Sequence, residues 1–98
     1  MIVTFDPNRP VRFYWRYEKV KEKKREVIYT HCLMVNHTDG TVISTGYTKL
    51  HKEDAFVKKE GRKHSLTNLL KTHYSDPQHR SFRTNVWEAY ARMVNNKF

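Results

Sequence analysis

The sequence VRFYWRY at residues 11–17 decides the fold class. Its odd positions hold valine or aromatic side chains, and its even positions hold Arg12, Tyr14 and Arg16. Because successive side chains on a β-strand point to opposite faces, this alternation predicts a strand with one buried face and one cationic, solvated face.

Two further strands are predicted downstream of this one. Residues 27–35 (VIYTHCLMV) are apolar at both odd and even positions, which is typical of a central strand. Residues 42–50 (VISTGYTKL) return after Asp39-Gly40, a dipeptide that favours a tight turn. Residues 18–26 (EKVKEKKRE) are predicted to be a solvated connection or hairpin tip, since eight of the nine are charged. Three consecutive strands with short connections predict an antiparallel meander.

The second half of the chain has a helical pattern, because its apolar residues recur with a period of about 3.6 residues. We predict one helical segment over residues 53–74 and another over 78–95, with Asp76 as N-cap and Pro77 at the first position. Gly61 predicts either a break in the first helix or a close approach to the sheet. The expected fold is therefore α+β: a three-stranded antiparallel meander (11–17, 27–35, 42–50) with two helical segments packed on one face, after an irregular lead-in at residues 1–10.

Composition limits the function classes. The 98 residues predict one small domain. An aromatic content of 13% argues against a disordered basic tail, since disordered chains are poor in large apolar side chains. There are 19 Lys and Arg against 10 Asp and Glu, and the net charge of +9 predicts an anionic partner.

Location and cofactors are predicted largely from missing sequence signals. No apolar run approaches the ~20 residues that span a membrane, and we expect neither a secretory leader nor a membrane partner. The single cysteine, Cys32, cannot form an internal disulfide and fits a reducing, cytoplasmic setting. Six histidines are scattered without metal-ligand spacing, and no paired carboxylates or phosphate-binding loop are found. We predict no metal, no cofactor and no enzymatic activity, with Cys32 as a buried, inert thiol.

The segment from Gly46 to Leu66 resembles a pattern in small, mostly uncharacterised proteins of tailed bacteriophages. In those proteins a strand leads into D-x-F-x-K-K-x-G-R-K-x-[AS]-L. The matching residues here are Asp54, Phe56, Lys58, Lys59, Gly61, Arg62, Lys63, Ser65 and Leu66. The resemblance covers about a fifth of the chain and implies a phage origin, hence the cytoplasm of a host cell, without implying an activity.

Lys58, Lys59, Arg62 and Lys63 form the first candidate site. These residues come at helical spacing beside an apolar face, so their stems can lie along the core while their charges reach a phosphate. An ordinary solvated helix rim is the competing interpretation.

The first strand and the last helix provide two more candidates. Arg12, Tyr14 and Arg16 on an open sheet can bind phosphates and stack on bases, or can simply protect an exposed strand. The flank of Arg80, Arg83, Trp87 and Tyr90 has the residue types of a protein interface, or is an aromatic pair at the core edge with arginine stacked on it.

Three functions are weighed for these sites. The leading hypothesis is a small basic protein that binds nucleic acid, DNA or RNA, chiefly through phosphate contacts. The second is an inhibitor that docks on a host defence or nucleic-acid enzyme, with the flank on the last helix as its contact surface. The third is an oligomeric sponge, that is, a protein that sequesters a nucleotide signal. This hypothesis includes a homo-oligomer of the chain.

Overall fold

The computed structural model describes residues 1–4, 9–51 and 58–95. Within them the elements are β1 (Ile2–Thr4), β2 (Pro10–Glu22), β3 (Arg25–Asn36), β4 (Val42–His51), α1 (Lys58–His73), a 3-10 turn (Pro77–His79) and α2 (Arg80–Asn95). This arrangement confirms the α+β class.

The four strands form one antiparallel sheet in the order β1-β2-β3-β4. The predicted meander of three strands is correct in its connectivity and wrong in its number of strands, because Ile2–Thr4 pairs with the start of β2. The prediction of an irregular lead-in over residues 1–10 is therefore wrong for Ile2–Thr4 and for Pro10. Pro10 is the first residue of β2, opposite Thr4, and a strand tolerates proline's missing N–H group at that position.

β2 and β3 are longer than predicted and form a two-stranded ribbon. The pairing extends from Val11↔Asn36 to Glu22↔Arg25, so most of the predicted connection at residues 18–26 is strand. The tip itself is confirmed as a turn at Lys23-Lys24, whose φ angles of 47° and 66° are the positive values that tight two-residue hairpin turns require. Strand pairing continues here through backbone hydrogen bonds, which need no alternation of apolar side chains.

Both helices pack on the same face of the sheet. Phe13, Cys32 and Met34 point to this face, and each is at most 1% exposed. They share one apolar core with α1 and α2, whose contribution is Leu66, Leu69, Leu70, Phe82, Val86, Ala89 and Tyr90. The buried positions predicted for the helical half are confirmed where they are described, at Leu66, Leu69, Leu70, Tyr74, Phe82, Val86, Ala89 and Tyr90. The exceptions are His73, which is exposed, and Met93, which is half-buried.

α1 is continuous through Gly61, which is buried, so the predicted alternative of a helix break is not realised. The close approach between helix and sheet lies at Gly46 on β4. A Cβ added there would lie 2.5 Å from the backbone nitrogen of Leu69. The part of the predicted first helix at residues 53–57, which includes Asp54 and Phe56 of the phage-like pattern, lies outside the described residues.

α2 begins after a capped turn. Asp76 Oδ1 accepts a hydrogen bond of 2.9 Å from the backbone N–H of Gln78, which confirms the predicted N-cap. Pro77 opens the 3-10 turn, and α2 proper starts at Arg80 rather than at the predicted residue 78.

Candidate functional site

The face of the sheet opposite the helices carries the candidate site, which we call the open face. None of the described helices packs against it. Its side chains, read from the strand register, are Arg12, Tyr14, Arg16 and Glu18 on β2, Tyr29, His31 and Leu33 on β3, and Thr45, Tyr47 and Lys49 on β4. Val27 and Val35 lie toward the two ends of this face and are buried, so the accessible region is the part between them.

Three rings on neighbouring strands form an aromatic cluster: Tyr29, His31 and Tyr47. Their ring centres lie 6.0–6.1 Å apart in every pair, and their planes differ by 18–46°. Tyr47 is 58% exposed, far more than a tyrosine that packs in a core. The register explains the cluster, because His31 is directly opposite Tyr47 and Tyr29 is two residues from His31 on the same strand.

Cations border the aromatic rings of the open face. The guanidinium carbons of Arg12 and Arg16 lie 6.0 and 5.8 Å from the centre of the Tyr14 ring. On β4, which also contributes to the open face, Lys49 Nζ lies 5.9 Å from the centre of the Tyr29 ring. Arginine beside aromatic rings combines bidentate phosphate binding with base stacking on one surface.

Glu22 organises the end of the open face nearest the hairpin turn. Its Oε1 accepts a hydrogen bond of 2.7 Å from the Tyr29 hydroxyl, and its Oε2 lies 2.6 Å from Lys49 Nζ. The hydrogen bond to Glu22 raises the pKa of Tyr29, and the same carboxylate raises the pKa of Lys49. Glu22 thereby fixes the Tyr29 ring and partly neutralises the lysine next to it.

The predicted helix site lies on the other side of the sheet. Lys58 Nζ lies 5.3 Å from the centre of the Tyr17 ring, and Arg62 Nη1 donates a hydrogen bond of 3.2 Å to the Tyr17 hydroxyl. Trp15 Nε1 donates to the carbonyl of Arg62 at 3.2 Å. Trp15 and Tyr17 are on the helix-facing side of β2, so the sheet separates Arg62 from Arg12 and Arg16.

The structure therefore does not merge the two predicted basic groups into one patch. Lys59 and Lys63 are exposed on α1, and Arg62 is half-buried. The paired part of β1 extends only over Pro10–Arg12 of β2, so within the described sheet the rest of β2 is an edge strand. The open face lies on one side of this edge, and the Tyr17–Arg62 contact lies on the other.

Three of the four residues proposed as a partner interface serve the protein's own packing. Arg83 Nη1 donates to the carbonyls of Tyr74, at 2.6 Å, and Asp76, at 2.8 Å. Tyr90 is 7% exposed and packs edge-on against Trp87, at 5.7 Å. The aromatic pair at the core edge is thus present, but Arg83 binds carbonyls of the helix connection instead of stacking on it. Arg80 is exposed.

Cys32 is fully buried at the centre of β3, opposite Trp15 and Gly46. Burial raises the pKa of its thiol to about 12, so the thiol is protonated at neutral pH. This confirms the prediction of a buried thiol. Among the described residues, no group of three or more His, Cys, Asp or Glu side chains is placed to hold a metal ion.

Sequence reasoning missed four members of the open face: Tyr29, His31, Tyr47 and Lys49. Their signal is alternation within each strand, because Tyr29 and His31 are two residues apart on β3, and Tyr47 and Lys49 are two residues apart on β4. Alternation shows which side chains of different strands share a face only once the register between strands is known, and β4 carries an irregularity opposite Met34 and Val35 that sequence did not indicate.

No helix in the described ranges is long and apolar enough to cross a membrane. Comparison of the chain with protein-family models, with curated proteins and with solved structures finds no match. The arrangement of side chains on the open face is therefore the basis of the function proposed next.

Proposed function

We propose that this protein binds nucleic acid through the open face, with Arg12 and Arg16 on phosphates and Tyr14 stacking beside them. The observation that carries the proposal is that two guanidinium groups lie over the Tyr14 ring. This ring is on a sheet face that no described helix covers. The +9 net charge of the chain supports an anionic ligand.

The chemistry of the face suits a polymer with alternating phosphates and bases. A guanidinium group presents a planar fork of N–H donors that matches a phosphate, and it also stacks on aromatic rings. Ring faces stack on bases of any sequence. The guanidinium carbons of Arg12 and Arg16 lie within 6.0 Å of the centre of the Tyr14 ring, which supports phosphate binding and base stacking by neighbouring side chains.

Lys58, Lys59, Arg62 and Lys63 are proposed as a second set of phosphate contacts. They lie across the free edge of β2 from Arg16, with Tyr17 joined to Lys58 and Arg62. A nucleic-acid backbone that passes over this edge would meet cations on both sides of the sheet. In this proposal the open face comes first, since it combines cations with four aromatic side chains, of which Tyr47 is 58% exposed.

The hypothesis that α2 docks on a host protein has less support, because Arg83 donates hydrogen bonds to backbone carbonyls and Tyr90 is buried. Nothing in the described residues favours a nucleotide-signal sponge over a polymer ligand. The phage origin suggested by the resemblance stays a prediction.

Salt dependence of binding tests the proposed function. Fluorescence anisotropy with a labelled oligonucleotide should show affinity that falls steeply with salt, since each neutralised phosphate releases counterions. Removing both arginines in R12A/R16A should weaken binding at low salt and reduce the slope of log affinity against log salt by about 1.4, at about 0.7 per contact for a single strand.

The matched control is K71A/R80A, which removes the same charge from two exposed positions outside the open face. This control should leave the slope close to that of the unmodified protein. Equal weakening by both double variants would reduce the effect to net charge and would contradict the assigned site. No binding to DNA or RNA at low salt would overturn the function itself.

A further inference from the structure

The geometry of the aromatic cluster limits how a nucleic-acid base can contact its rings. Tyr29, His31 and Tyr47 are already in mutual contact at 6.0–6.1 Å between ring centres, so no base fits between two of them. Tyr47 is 58% exposed, whereas Tyr29 and His31 are half-buried, so the accessible part of the cluster is chiefly the Tyr47 ring. A base can therefore stack only on the outer part of the cluster, with its own ring face turned to the protein.

That requirement distinguishes paired from unpaired nucleic acid. In a duplex the ring faces are stacked on neighbouring base pairs, and only phosphates and base edges in the grooves are accessible. In a single strand the bases can be splayed out and stacked on aromatic side chains. The accessible ring surface of the cluster therefore contributes to binding only if the bases of the ligand are unpaired.

The cations on the open face lie where the phosphates of a bound single strand would be. Arg16 lies in the cross-strand row that continues through His31 to Tyr47, and Lys49 lies opposite Tyr29. A cation thus lies next to the cluster on both the β2 and the β4 side. A single strand whose bases lie on the rings would have its phosphates beside these cations.

We propose that the aromatic cluster of Tyr29, His31 and Tyr47 binds unpaired bases, so that single-stranded nucleic acid is the preferred ligand of the open face. This inference rests on the proposed function and specifies its substrate class. Stacking does not distinguish the sugar, so single-stranded DNA and RNA share the chemistry, and the experiment uses both.

The test compares one sequence as a labelled single strand, in DNA and in RNA form, with the corresponding duplexes in fluorescence anisotropy. We expect either single strand to bind more tightly than its duplex. Tyr47→Ala should weaken single-strand binding on the order of 10- to 100-fold, the range measured for loss of one stacking ring. Tyr47→Phe should retain the affinity, because stacking does not need the hydroxyl.

Ile43→Ala is the control, since Ile43 is a large apolar residue of β4 that is 48% exposed and lies outside the aromatic cluster and both basic groups. It should reduce single-strand affinity much less than Tyr47→Ala does. Tyr47 is more than half exposed, so its loss should leave the fold intact, and urea unfolding of each variant confirms that the proteins compared are folded.

The outcomes separate this inference from the proposed function. If binding depends on salt but the affinity for the duplex equals or exceeds the affinity for the single strand, the inference is overturned. The proposed function is then still supported. Equal weakening by Tyr47→Ala and Ile43→Ala, or binding of a base-free polyanion such as heparin as tightly as the single strand, also overturns the inference. No binding of any oligonucleotide at low salt overturns both.

Discussion

At the residue scale, Glu22 has an effect opposite to that of the cations around it. Its carboxylate holds Lys49 and the Tyr29 hydroxyl, so it both orders the edge of the aromatic cluster and places a negative charge where a phosphate would approach. A nucleic-acid backbone must compete with this carboxylate for Lys49.

Glu22→Gln should therefore increase affinity for single-stranded nucleic acid. The amide oxygen can still accept the Tyr29 hydrogen bond, while the charge that repels phosphates is gone. The expected gain is on the order of fivefold at low salt, corresponding to ~1 kcal/mol for one charge at close range in water, and it should shrink as salt is added.

Anisotropy titrations of Glu22→Gln and Glu26→Gln give the comparison. Glu26 pairs with Lys21 on the opposite side of the ribbon, and its replacement changes the net charge by the same amount. An equal gain in both variants would show that only net charge matters and that Glu22 has no particular role on the open face.

Gly46 is the residue at which the distance between helix and sheet is set. A Cβ at this position would lie 2.5 Å from the backbone nitrogen of Leu69, and a backbone atom cannot rotate away as a side chain can. Gly46→Ala should lower the free energy of unfolding by about 1–3 kcal/mol, the usual effect of overpacking.

Urea unfolding of Gly46→Ala and Gly40→Asn checks this prediction. Gly40 has a φ of 77° and open space around its Cβ position, and asparagine adopts such a backbone more readily than other residues with a side chain. Gly40→Asn should therefore be nearly neutral. Similar losses at the two positions would argue against a steric limit at Gly46.

At the element scale, Arg83 joins the end of α1 to the start of α2. One nitrogen of its guanidinium group donates to the carbonyls of Tyr74 and Asp76, two acceptors that follow α1 and would otherwise have to be satisfied by water. These two hydrogen bonds, of which the one to Tyr74 is partly buried, stabilise the connection between the helices, so Arg83 acts on the fold through its interactions with the backbone.

Arg83→Ala should lower the free energy of unfolding by about 1–3 kcal/mol, because charge-assisted hydrogen bonds are lost and carbonyls are left without their donor. Arg80→Ala, at an exposed position one helical turn earlier, should change it by less than about 0.5 kcal/mol. Urea unfolding measures both values. Unchanged stability in Arg83→Ala would contradict this role in the fold. The hypothesis that Arg83 belongs to a partner interface would then be supported again.

Sequence patterns predicted elements well where burial determined them and less well where backbone pairing did. The buried stripe of α2 and the alternation of residues 11–17 followed from which side chains leave water. β1 is only three residues long, and the outer half of β2 carries mostly charged side chains, so pairing between strands extends both elements beyond any apolar pattern. The cluster on the open face escaped prediction because it depends on the register of three strands at once.

At the scale of the whole molecule, the buried thiol of Cys32 couples folding to alkaline pH. Burial raises its pKa from an ordinary value of 9.0 to about 12, so the unfolded chain releases this proton first as the pH rises. The stabilising contribution of the protonated thiol is complete below pH 9 and is lost as the pH rises toward 12.

The free energy of unfolding should fall by about 1.4 kcal/mol per pH unit in this window through Cys32 alone. Tyr29, Lys49 and Tyr90 have shifted pKa values as well, so the comparison is between the unmodified protein and Cys32→Ala. The alanine variant should have a smaller pH slope by this amount, measured by urea unfolding at several alkaline pH values. Parallel slopes would mean that the folded protein does not keep the thiol protonated.

The neighbourhood of β1 and α2 has a consequence for the order in which the molecule assembles. Every strand pairs with the next one along the chain, so the sheet can grow by closing short loops between successive hairpins. The packing of α2 against β1 instead joins residues near opposite ends of the described chain. This contact has the greatest sequence separation in the fold, and its loop-closure entropy is accordingly large. We therefore expect the meander to form early and the docking of the last helix on the first strand to complete folding.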